Sequence, residues 1–330
     1  MSTLAPLLQS YFNDRLIGQR QASPNTVASY RDTWCLLLHF AQRRTGKAPH
    51  KLAIEDIDAP LVGAFLDHLE SERRVSVRTR NARLTAIRSL FHYAAYRHPE
   101  QAAVVQRVLA IPSKSTRKTI VRYLNEEEIE ALLAAPDRSR SIGRRDHILL
   151  LLALETGLRV SELTGLSCSD VRLGVGAHVH CVGKGRKERI TPLRPETRAM
   201  VEGWLGERAG GPQDPLFPGP RGGRLSRDGV RRLLERHVVT ASLACPSLAT
   251  ASISPHVLRH SAAMRWRRHG IDLATIAILL GHEDPRTTHA TYLHADLAMK
   301  ESALALTAPL NTVAGRYRAG DPLLRFLEEL

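Results

Sequence analysis

The sequence predicts a mainly α-helical protein with one small β-sheet, organised as two domains. Apolar residues recur at helical spacing from residue 4 to about residue 108. A polar, basic segment containing a proline follows at 112–118, and such segments are typical of linkers. The only clear strand pattern lies at 178–193, where two short β-runs flank a basic, glycine-rich turn. A length of 330 residues also favours two hydrophobic cores over one. We therefore predict a helical domain at 1–110, a linker at 111–122, a second domain at 123–309 and a tail at 310–330.

Apolar spacing predicts four helices in the first domain. The first carries apolar positions between 4 and 16, and the second begins with Ser23 as N-cap and Pro24 in its first turn. Residues 47–49, Lys-Ala-Pro, are expected to break the second helix. The other two helices are placed at 60–70 and 77–96.

The fourth predicted helix carries arginines outside its apolar stripe. They are Arg78, Arg80, Arg83 and Arg88. Such a set is either a solvated face or a face that follows DNA phosphates. Because the stretch 73–88 is rich in arginine and poor in acids, we predict DNA contacts for these four, provided that other motifs also indicate DNA.

The second domain is predicted to begin near Val121 and to open with a helix over 126–134 that Asn125 caps. A buried helix over 146–156 ends at Gly157, and Arg159 follows in a turn. Further helices are predicted at 160–165, at 230–241, from His256, at 273–280 with Gly281 as a left-handed cap, and around Tyr292.

Charge and composition narrow the class of protein. The formal net charge is +14 and the isoelectric point about 10.2, which favours a polyanionic partner, most often nucleic acid. No signal peptide is indicated at the N-terminus, and the longest apolar run, 148–154, is too short to cross a bilayer. We expect a cytoplasmic protein without a membrane partner.

The four cysteines form no C-x-x-C pair. They are Cys35, Cys168, Cys181 and Cys245. This spacing excludes a zinc framework or a disulfide scaffold, and we expect mostly buried thiols in a reducing compartment.

A phosphate-binding pattern lies at 255–260, with sequence PHVLRH. Residues three and four apart share a helix face, so His256 and Arg259 are expected side by side near the helix start. A phosphate suits such a face. His256 and His260 have the i, i+4 spacing of a zinc pair, but no glutamate follows His256, and His260 is interpreted as a supporting histidine.

The order of four motifs and a late tyrosine resembles the tyrosine recombinase (phage integrase) family. The motifs are TGLRVSEL at 156–163, GKGRKER at 183–189, PHVLRH at 255–260 and LGH at 280–282, followed by Tyr292. The resemblance extends to about residue 309 and is strongest to Xer-like recombinases and integrases of mobile elements. It implies an N-terminal helical, SAM-like core-binding domain and a tyrosine-recombinase catalytic domain.

The resemblance also implies which residues hold the scissile phosphate. Arg159 and Arg259 would bind its non-bridging oxygens, and His282 would donate a hydrogen bond to it. Two planar, permanently charged guanidinium groups suit the charge that gathers on the equatorial oxygens. Arg186 and Lys187, on the basic turn, are expected to contact DNA.

Three further residues would move protons or form the covalent bond. Tyr292 would be the nucleophile and give a 3′-phosphotyrosine, with His256 accepting or returning its proton. Lys184 would protonate the leaving 5′-oxygen. A free tyrosine has a pKa near 10, so it needs either a base or strong activation by the bound phosphate, and a departing alkoxide needs an acid. The family implies no metal and no cofactor.

Two spacings differ from the family pattern. Tyr292 lies ten residues after His282, where many members have nine, and the segment between Arg159 and Lys184 is about one residue longer. Both differences are interpreted as loop insertions, at 285–286 and 174–176. If the hairpin register shifts, Lys187 is the alternative to Lys184.

The resulting prediction is a site-specific recombinase or integrase acting on double-stranded DNA at a recombination site. The resemblance implies a homotetramer on synapsed DNA and a possible partner recombinase. The C-terminal tail either docks on a neighbouring protomer, as the resemblance implies, or packs on its own domain. Two alternatives stay open: activity like that of a type IB topoisomerase, and a DNA-binding regulator without catalysis.

Overall fold

The computed structural model describes residues 4–116, 122–183, 188–208 and 210–281. The chain divides into two compact units, Met1–Thr119 and Ile120–Leu330, which are treated separately below. The described residues are mostly helical with one small sheet, which confirms the predicted fold class. The finer boundaries of the linker and the tail stay predictions.

The N-terminal unit is a helical bundle. A π-helical stretch, Tyr11–Gln19, continues α1 without a break. The helices are α1 (Leu4–Ser10), α2 (Pro24–Thr45), α3 (Ala59–Ser71), α4 (Val77–Arg97) and α5 (Ala102–Leu109).

Local chemistry sets the helix ends in this unit. The Ser23 hydroxyl accepts a hydrogen bond from the Thr26 amide, and Pro24 occupies the first turn of α2, as predicted. The helix ends at Gly46, whose φ of 71° suits a residue without a side chain, directly before the predicted break at 47–49. Asp58 caps α3 in the same way, by accepting from the Leu61 amide.

The core of the N-terminal unit is built around α4. Its predicted apolar stripe is buried throughout: Leu84, Ile87, Leu90, Phe91 and Ala94 each have no exposed area. Apolar side chains of α1, α2, α3 and α5 pack in the same core. The stripe therefore orients α4 in the unit.

The C-terminal unit combines helices with a three-stranded antiparallel sheet. Its elements are α6 (Glu126–Ala134), α7 (Ser141–Thr156), α8 (Val160–Gly165), β1 (Val171–Arg172), β2 (His178–Val182), β3 (Glu188–Pro192), α9 (Pro195–Arg208), α10 (Arg227–Ala241), α11 (Pro255–Arg268) and α12 (Leu273–Leu280).

The predicted hairpin is present, with β2 and β3 paired so that Cys181 faces Arg189 and Val182 faces Glu188. A third strand, β1, was not predicted, because two residues are too few to show an alternating pattern. The helix α9 was also not predicted. Only Thr197, Val201 and Trp204 are buried along its 14 residues, so its apolar signal is weak.

The central helix of the unit is α7, which packs on α6, α8, α9 and α11. It begins at Ser141, five residues before the predicted start at Asp146. Asp146 is completely buried and accepts hydrogen bonds from Arg145 (2.6 Å) and Arg236 (3.0 Å), and its contact with His237 is 2.9 Å. Burial raises the pKa of this carboxyl, but the bonds to His237 and Arg145 outweigh it and leave the pKa below its usual value.

The burial of the cysteines differs from the prediction. Cys35 is exposed, Cys168 and Cys245 are half-buried, and only Cys181 is buried, so the prediction of mostly buried thiols is wrong. All four are free thiols. Across the described ranges, no helix is long and apolar enough to cross a membrane.

Candidate active site

The turn between α7 and α8 places Arg159. Gly157 ends α7 with φ 59°, and a Cβ atom there would lie 2.9 Å from Leu280 Cδ2. Both the backbone angle and the close approach of α12 therefore require glycine. The predicted end of α7 and the predicted start of α8 after Arg159 are confirmed.

Glu162 fixes Arg159 from both ends. Its carboxylate accepts the Arg159 backbone amide at 2.8 Å and the Arg159 Nη1 at 2.8 Å. The hydrogen bond from the backbone amide is half of a capping box, in which the side chain of the third helical residue accepts from the backbone amide of the residue just before the helix. The Arg159 side chain keeps 28% of its surface exposed, whereas that of Glu162 keeps 4%. The guanidinium is thus held firmly and is still open to a ligand.

Arg259 is held by backbone carbonyls. It lies on α11, which begins at Pro255, one residue before the predicted start at His256, and the residue is only 5% exposed. Its Nη1 donates to the Gly157 carbonyl and its Nη2 to the Leu280 carbonyl, both at 2.6 Å. His256 lies one turn earlier on α11 and is exposed, so the predicted pairing of an imidazole and a guanidinium near this helix start is present.

The end of α12 is where the arginines meet. Gly281 adopts the predicted left-handed cap with φ 62°. Arg159 Nη2 donates to the Gly281 carbonyl at 3.2 Å, next to the Leu280 carbonyl that Arg259 binds. The last carbonyls of a helix lack intrahelical donors and carry the negative end of the helix dipole, so cations stabilise this end.

Two residues of the site were missed by the sequence reasoning. Glu162 was present in the quoted motif without a role, although its position three residues after Arg159 is a capping-box signal. Arg189, in β3, donates to Glu162 Oε2 at 2.8 Å and to the Leu279 carbonyl at 3.0 Å. No local pattern connects Arg189 to residues 27 and 90 positions away, so only the fold reveals it.

The cluster carries excess positive charge. Arg159 and Arg189 bind the Glu162 carboxylate directly, and Arg259 Nη1 lies 4.0 Å from it. Three guanidinium groups thus share one carboxylate, and a phosphodiester is an anion of suitable charge and geometry for the excess.

His260 supports the site as a neutral group. Its burial, with the neighbouring charges of His256 and Arg259, lowers its pKa from 6.5 to about 4. At neutral pH it adds no charge beside Arg259. Within the described ranges, no group of three or more His, Cys, Asp or Glu side chains is arranged to hold a metal ion.

Five predicted site residues lie outside the described residues: Lys184, Arg186, Lys187, His282 and Tyr292. The hairpin strands β2 and β3 end on either side of 184–187, and α12 with its cap ends directly before His282. Of the six predicted catalytic residues, the structure therefore places Arg159, His256 and Arg259.

The arginines of α4 do not form one exposed face. Arg78 is exposed, but Arg80 is only 5% exposed and donates to Asn81 Oδ1 (3.2 Å) and the Pro112 carbonyl (3.1 Å). Residues two apart on a helix point about 200° apart, so Arg80 turns inward where Arg78 turns outward. The expectation of a shared phosphate-following face is therefore wrong for Arg80.

The other two of the four arginines predicted to contact DNA, Arg83 and Arg88, are half-buried. Arg88 donates to the Ile111 carbonyl and lies 3.5 Å from the Ser113 hydroxyl. Arg83 Nη1 lies 3.4 Å from the Thr33 hydroxyl, and burial lowers its pKa. DNA contacts by Arg78, Arg83 and Arg88 stay predictions.

Family models match both units. Residues 122–299 match the phage integrase family, and residues 8–98 match the phage integrase N-terminal SAM-like domain. The chain is 53% identical over 329 residues to the putative integrase/recombinase y4rC of Sinorhizobium fredii, covering 100% of this chain and 99% of that protein. It is 34% identical over 302 residues to the tyrosine recombinase XerC of Pelobacter propionicus, covering 89% of this chain and 93% of that protein.

A solved structure has the same architecture. It is the crystal structure of the XerH site-specific recombinase bound to palindromic difH substrate in a post-cleavage complex. The similarity has a TM-score of 0.67 at 26% identity and covers 87% of this chain and 81% of that one.

Proposed function

The chain belongs to the phage integrase family of tyrosine-type site-specific DNA recombinases, and we propose that it cuts and rejoins duplex DNA through a 3′-phosphotyrosine intermediate. The observation that carries the proposal is the convergence of Arg159 and Arg259 on adjacent carbonyls, those of Gly281 and Leu280. The next residue along the chain is His282, so a phosphate bound by the two guanidinium groups would lie near the start of the segment that carries Tyr292.

In the proposed reaction, the Tyr292 hydroxyl attacks the scissile phosphorus and the bond to the 5′-oxygen breaks. His256 takes the tyrosine proton, and Lys184 gives a proton to the departing 5′-oxygen. Arg159, Arg259 and His282 stabilise the charge on the non-bridging oxygens. A 5′-hydroxyl of another strand then attacks the phosphotyrosine, so rejoining needs no nucleotide cofactor.

Duplex DNA in the cytoplasm is the proposed partner, and the net charge of +14 supports it. Each phosphate neutralised by an arginine or lysine releases counterions, so the logarithm of affinity should fall linearly with the logarithm of salt concentration. Exposed Arg78, together with Arg186 and Lys187 of the hairpin, is proposed to contribute to this term.

We extend the proposal to assembly. Four protomers, all of this chain or shared with a partner recombinase, would hold two recombination sites together. The tail at 310–330 ends in an apolar pattern over 321–330 that would contact the neighbouring protomer. Deleting 321–330 should weaken synapsis of two sites more than cleavage of one site, and equal loss of both would contradict this docking.

The experiment that tests the function begins with DNA selected from a randomised duplex pool by the full-length protein. Two copies of the selected site are placed on one supercoiled plasmid, and one copy on a control plasmid. Strand exchange between the two sites supports the proposal. Relaxation of the one-site plasmid without exchange indicates topoisomerase-like activity, and binding without cleavage indicates a regulator.

A further inference from the structure

Arg189 is a third arginine at the site, and it comes from the hairpin. It lies in β3 opposite Cys181, and its side chain is 11% exposed. One end of its guanidinium donates to the Glu162 carboxylate (2.8 Å) and the other to the Leu279 carbonyl (3.0 Å). It therefore bridges three elements: the hairpin, α8 and α12.

Three successive carbonyls at the end of α12 each accept a different arginine. Leu279 accepts from Arg189, Leu280 from Arg259 and Gly281 from Arg159. Two of these arginines, Arg159 and Arg259, are the proposed phosphate-binding pair, called the arginine clamp below. The last turn of α12 and Glu162 thus hold all three arginines, and Arg189 is the one that connects the hairpin to them.

Gly281 leaves room for the Arg189 side chain. A Cβ atom at Gly281 would lie 3.1 Å from Arg189 Nη1, which is closer than ordinary side-chain packing, and 3.4 Å from its Cδ. Packing alone does not account for an arginine here, because an apolar residue of similar volume often replaces a buried ion pair without loss of stability. The charge and forked geometry of Arg189 are better explained by what they align.

We propose that Arg189 is a positioning residue that fixes the base of the hairpin relative to the arginine clamp, so that Lys184 reaches the leaving 5′-oxygen. This inference rests on the proposed function. The strands flanking 184–187 end at Val182 and Glu188, and Arg189 is the neighbour of Glu188. Without Arg189, Arg159 would retain its bonds to Glu162 and Gly281, so β3 would lose this side-chain link to α8 and α12 while Arg159 stayed in place.

The test changes the leaving group in order to separate a defect in the proton donor from a defect in the arginines that bind the phosphate. Formation of the covalent complex is followed in single-turnover reactions on a nicked suicide duplex of the selected sequence. A second duplex carries sulfur instead of the 5′-bridging oxygen at the scissile position. Because a thiol is far more acidic than an alcohol, the sulfur leaves without protonation. The sulfur duplex therefore restores the rate of covalent-complex formation only in variants whose defect lies in protonating the leaving group.

Four variants are compared with the unmodified chain: Arg189→Met, Lys184→Ala, Arg159→Ala and Arg172→Met. Arg172 is an exposed arginine of the same sheet and serves as the matched control. On the oxygen duplex, we expect Arg189→Met to slow covalent-complex formation by about 100-fold, within the range of lost general acid catalysis. On the sulfur duplex, Arg189→Met and Lys184→Ala should return to within about tenfold of the unmodified chain. Arg159→Ala should stay slow on both, and Arg172→Met should match the unmodified chain.

Two results would overturn the inference and leave the proposed function intact: no defect in Arg189→Met, or a defect that sulfur repairs in Lys184→Ala but not in Arg189→Met. If Arg189→Met does not fold by circular dichroism, Arg189→Lys replaces it. Lysine keeps the charge but cannot span Glu162 and Leu279 as a fork. Sulfur repair of Arg189→Lys supports the inference, and its absence overturns it. A failure of the proposed function is a different result, in which the unmodified chain forms no covalent complex on either duplex.

Discussion

Arginine clusters in the two units perform different tasks. In the N-terminal unit, Arg80 and Arg88 donate to the carbonyls of Pro112 and Ile111, which attaches the chain after α5 to α4. In the C-terminal unit, Arg159 and Arg259 meet near a shared carboxylate, and Arg159 is still partly exposed. Both clusters bind backbone carbonyls, but only in the second do three guanidinium groups share one carboxylate next to a partly exposed arginine. Richness in arginine alone therefore does not identify a phosphate site.

The largest expected effect is on catalysis by the second cluster. Arg159→Ala removes a guanidinium from the proposed phosphate site and should slow covalent-complex formation about 100- to 1,000-fold, as loss of one preorganised donor does in other enzymes. Single-turnover cleavage of the suicide duplex measures this rate. Arg80→Ala is the matched variant in the first cluster, and its rate per folded molecule should be within about threefold of the unmodified chain. Equal losses in both variants would remove the distinction between the clusters.

The second effect is on stability, and it is expected for Arg80 of the first cluster. Arg80→Ala leaves the Pro112 carbonyl without this donor and should lower the free energy of unfolding by about 1–3 kcal/mol. Arg78→Ala, on the same helix but exposed, should change it by less than about 0.5 kcal/mol. Urea unfolding of the two full-length variants measures the difference. A larger loss for Arg78→Ala would contradict the structural role of Arg80.

The third effect is a difference in pH dependence between the units. His260 has a folded pKa of about 4 against an ordinary value of 6.5, so the unfolded chain takes up its proton first. Its contribution to stability is therefore lost as pH falls from 6.5 towards 4. Burial raises the pKa of Tyr11 in the N-terminal unit from 10.0 to about 12, so the unfolded chain loses that proton first as pH rises from 10 to 12.

Scanning calorimetry across these pH ranges checks both signs. His260→Gln should flatten the decline of Tm in acid, and Tyr11→Phe should flatten the decline in alkali. Each variant should leave the other limb unchanged, because the residues lie in separate units. A His260→Gln variant with the same acid limb as the unmodified chain would contradict the assignment of a neutral, half-buried imidazole.

The smallest expected effect concerns DNA affinity. Arg78→Ala should weaken binding about equally on selected and random duplexes and reduce the salt slope by about one, as loss of a single phosphate contact does. Fluorescence anisotropy over a series of salt concentrations measures the slope. An unchanged slope would show that Arg78 does not contact a phosphate.

The sequence is sufficient to predict features that depend on neighbouring residues. Ser23 and Asn125 as caps, Gly157 and Gly281 as helix ends, and the β2–β3 hairpin all follow from local patterns and are confirmed. The two-residue strand β1 and the weakly amphipathic α9 give too little periodic signal.

Residues that act through distant partners are harder to predict. Arg189 contacts Glu162 and Leu279 only because the sheet, α8 and α12 fold together. Arg80 belongs to an arginine-rich stretch whose composition indicated DNA, but its helical phase turns it inward. Composition therefore identifies the partner class, and tertiary packing decides which arginine meets it.

Covalent catalysis by Tyr292 is tested most directly by identifying the residue that becomes attached to DNA. The covalent complex formed on the suicide duplex is digested with protease and nuclease, and mass spectrometry locates the nucleotide adduct. We predict a 3′-phosphoryl adduct on Tyr292, with no covalent complex in Tyr292→Phe. An adduct on another residue, or covalent attachment that persists in Tyr292→Phe, would contradict it.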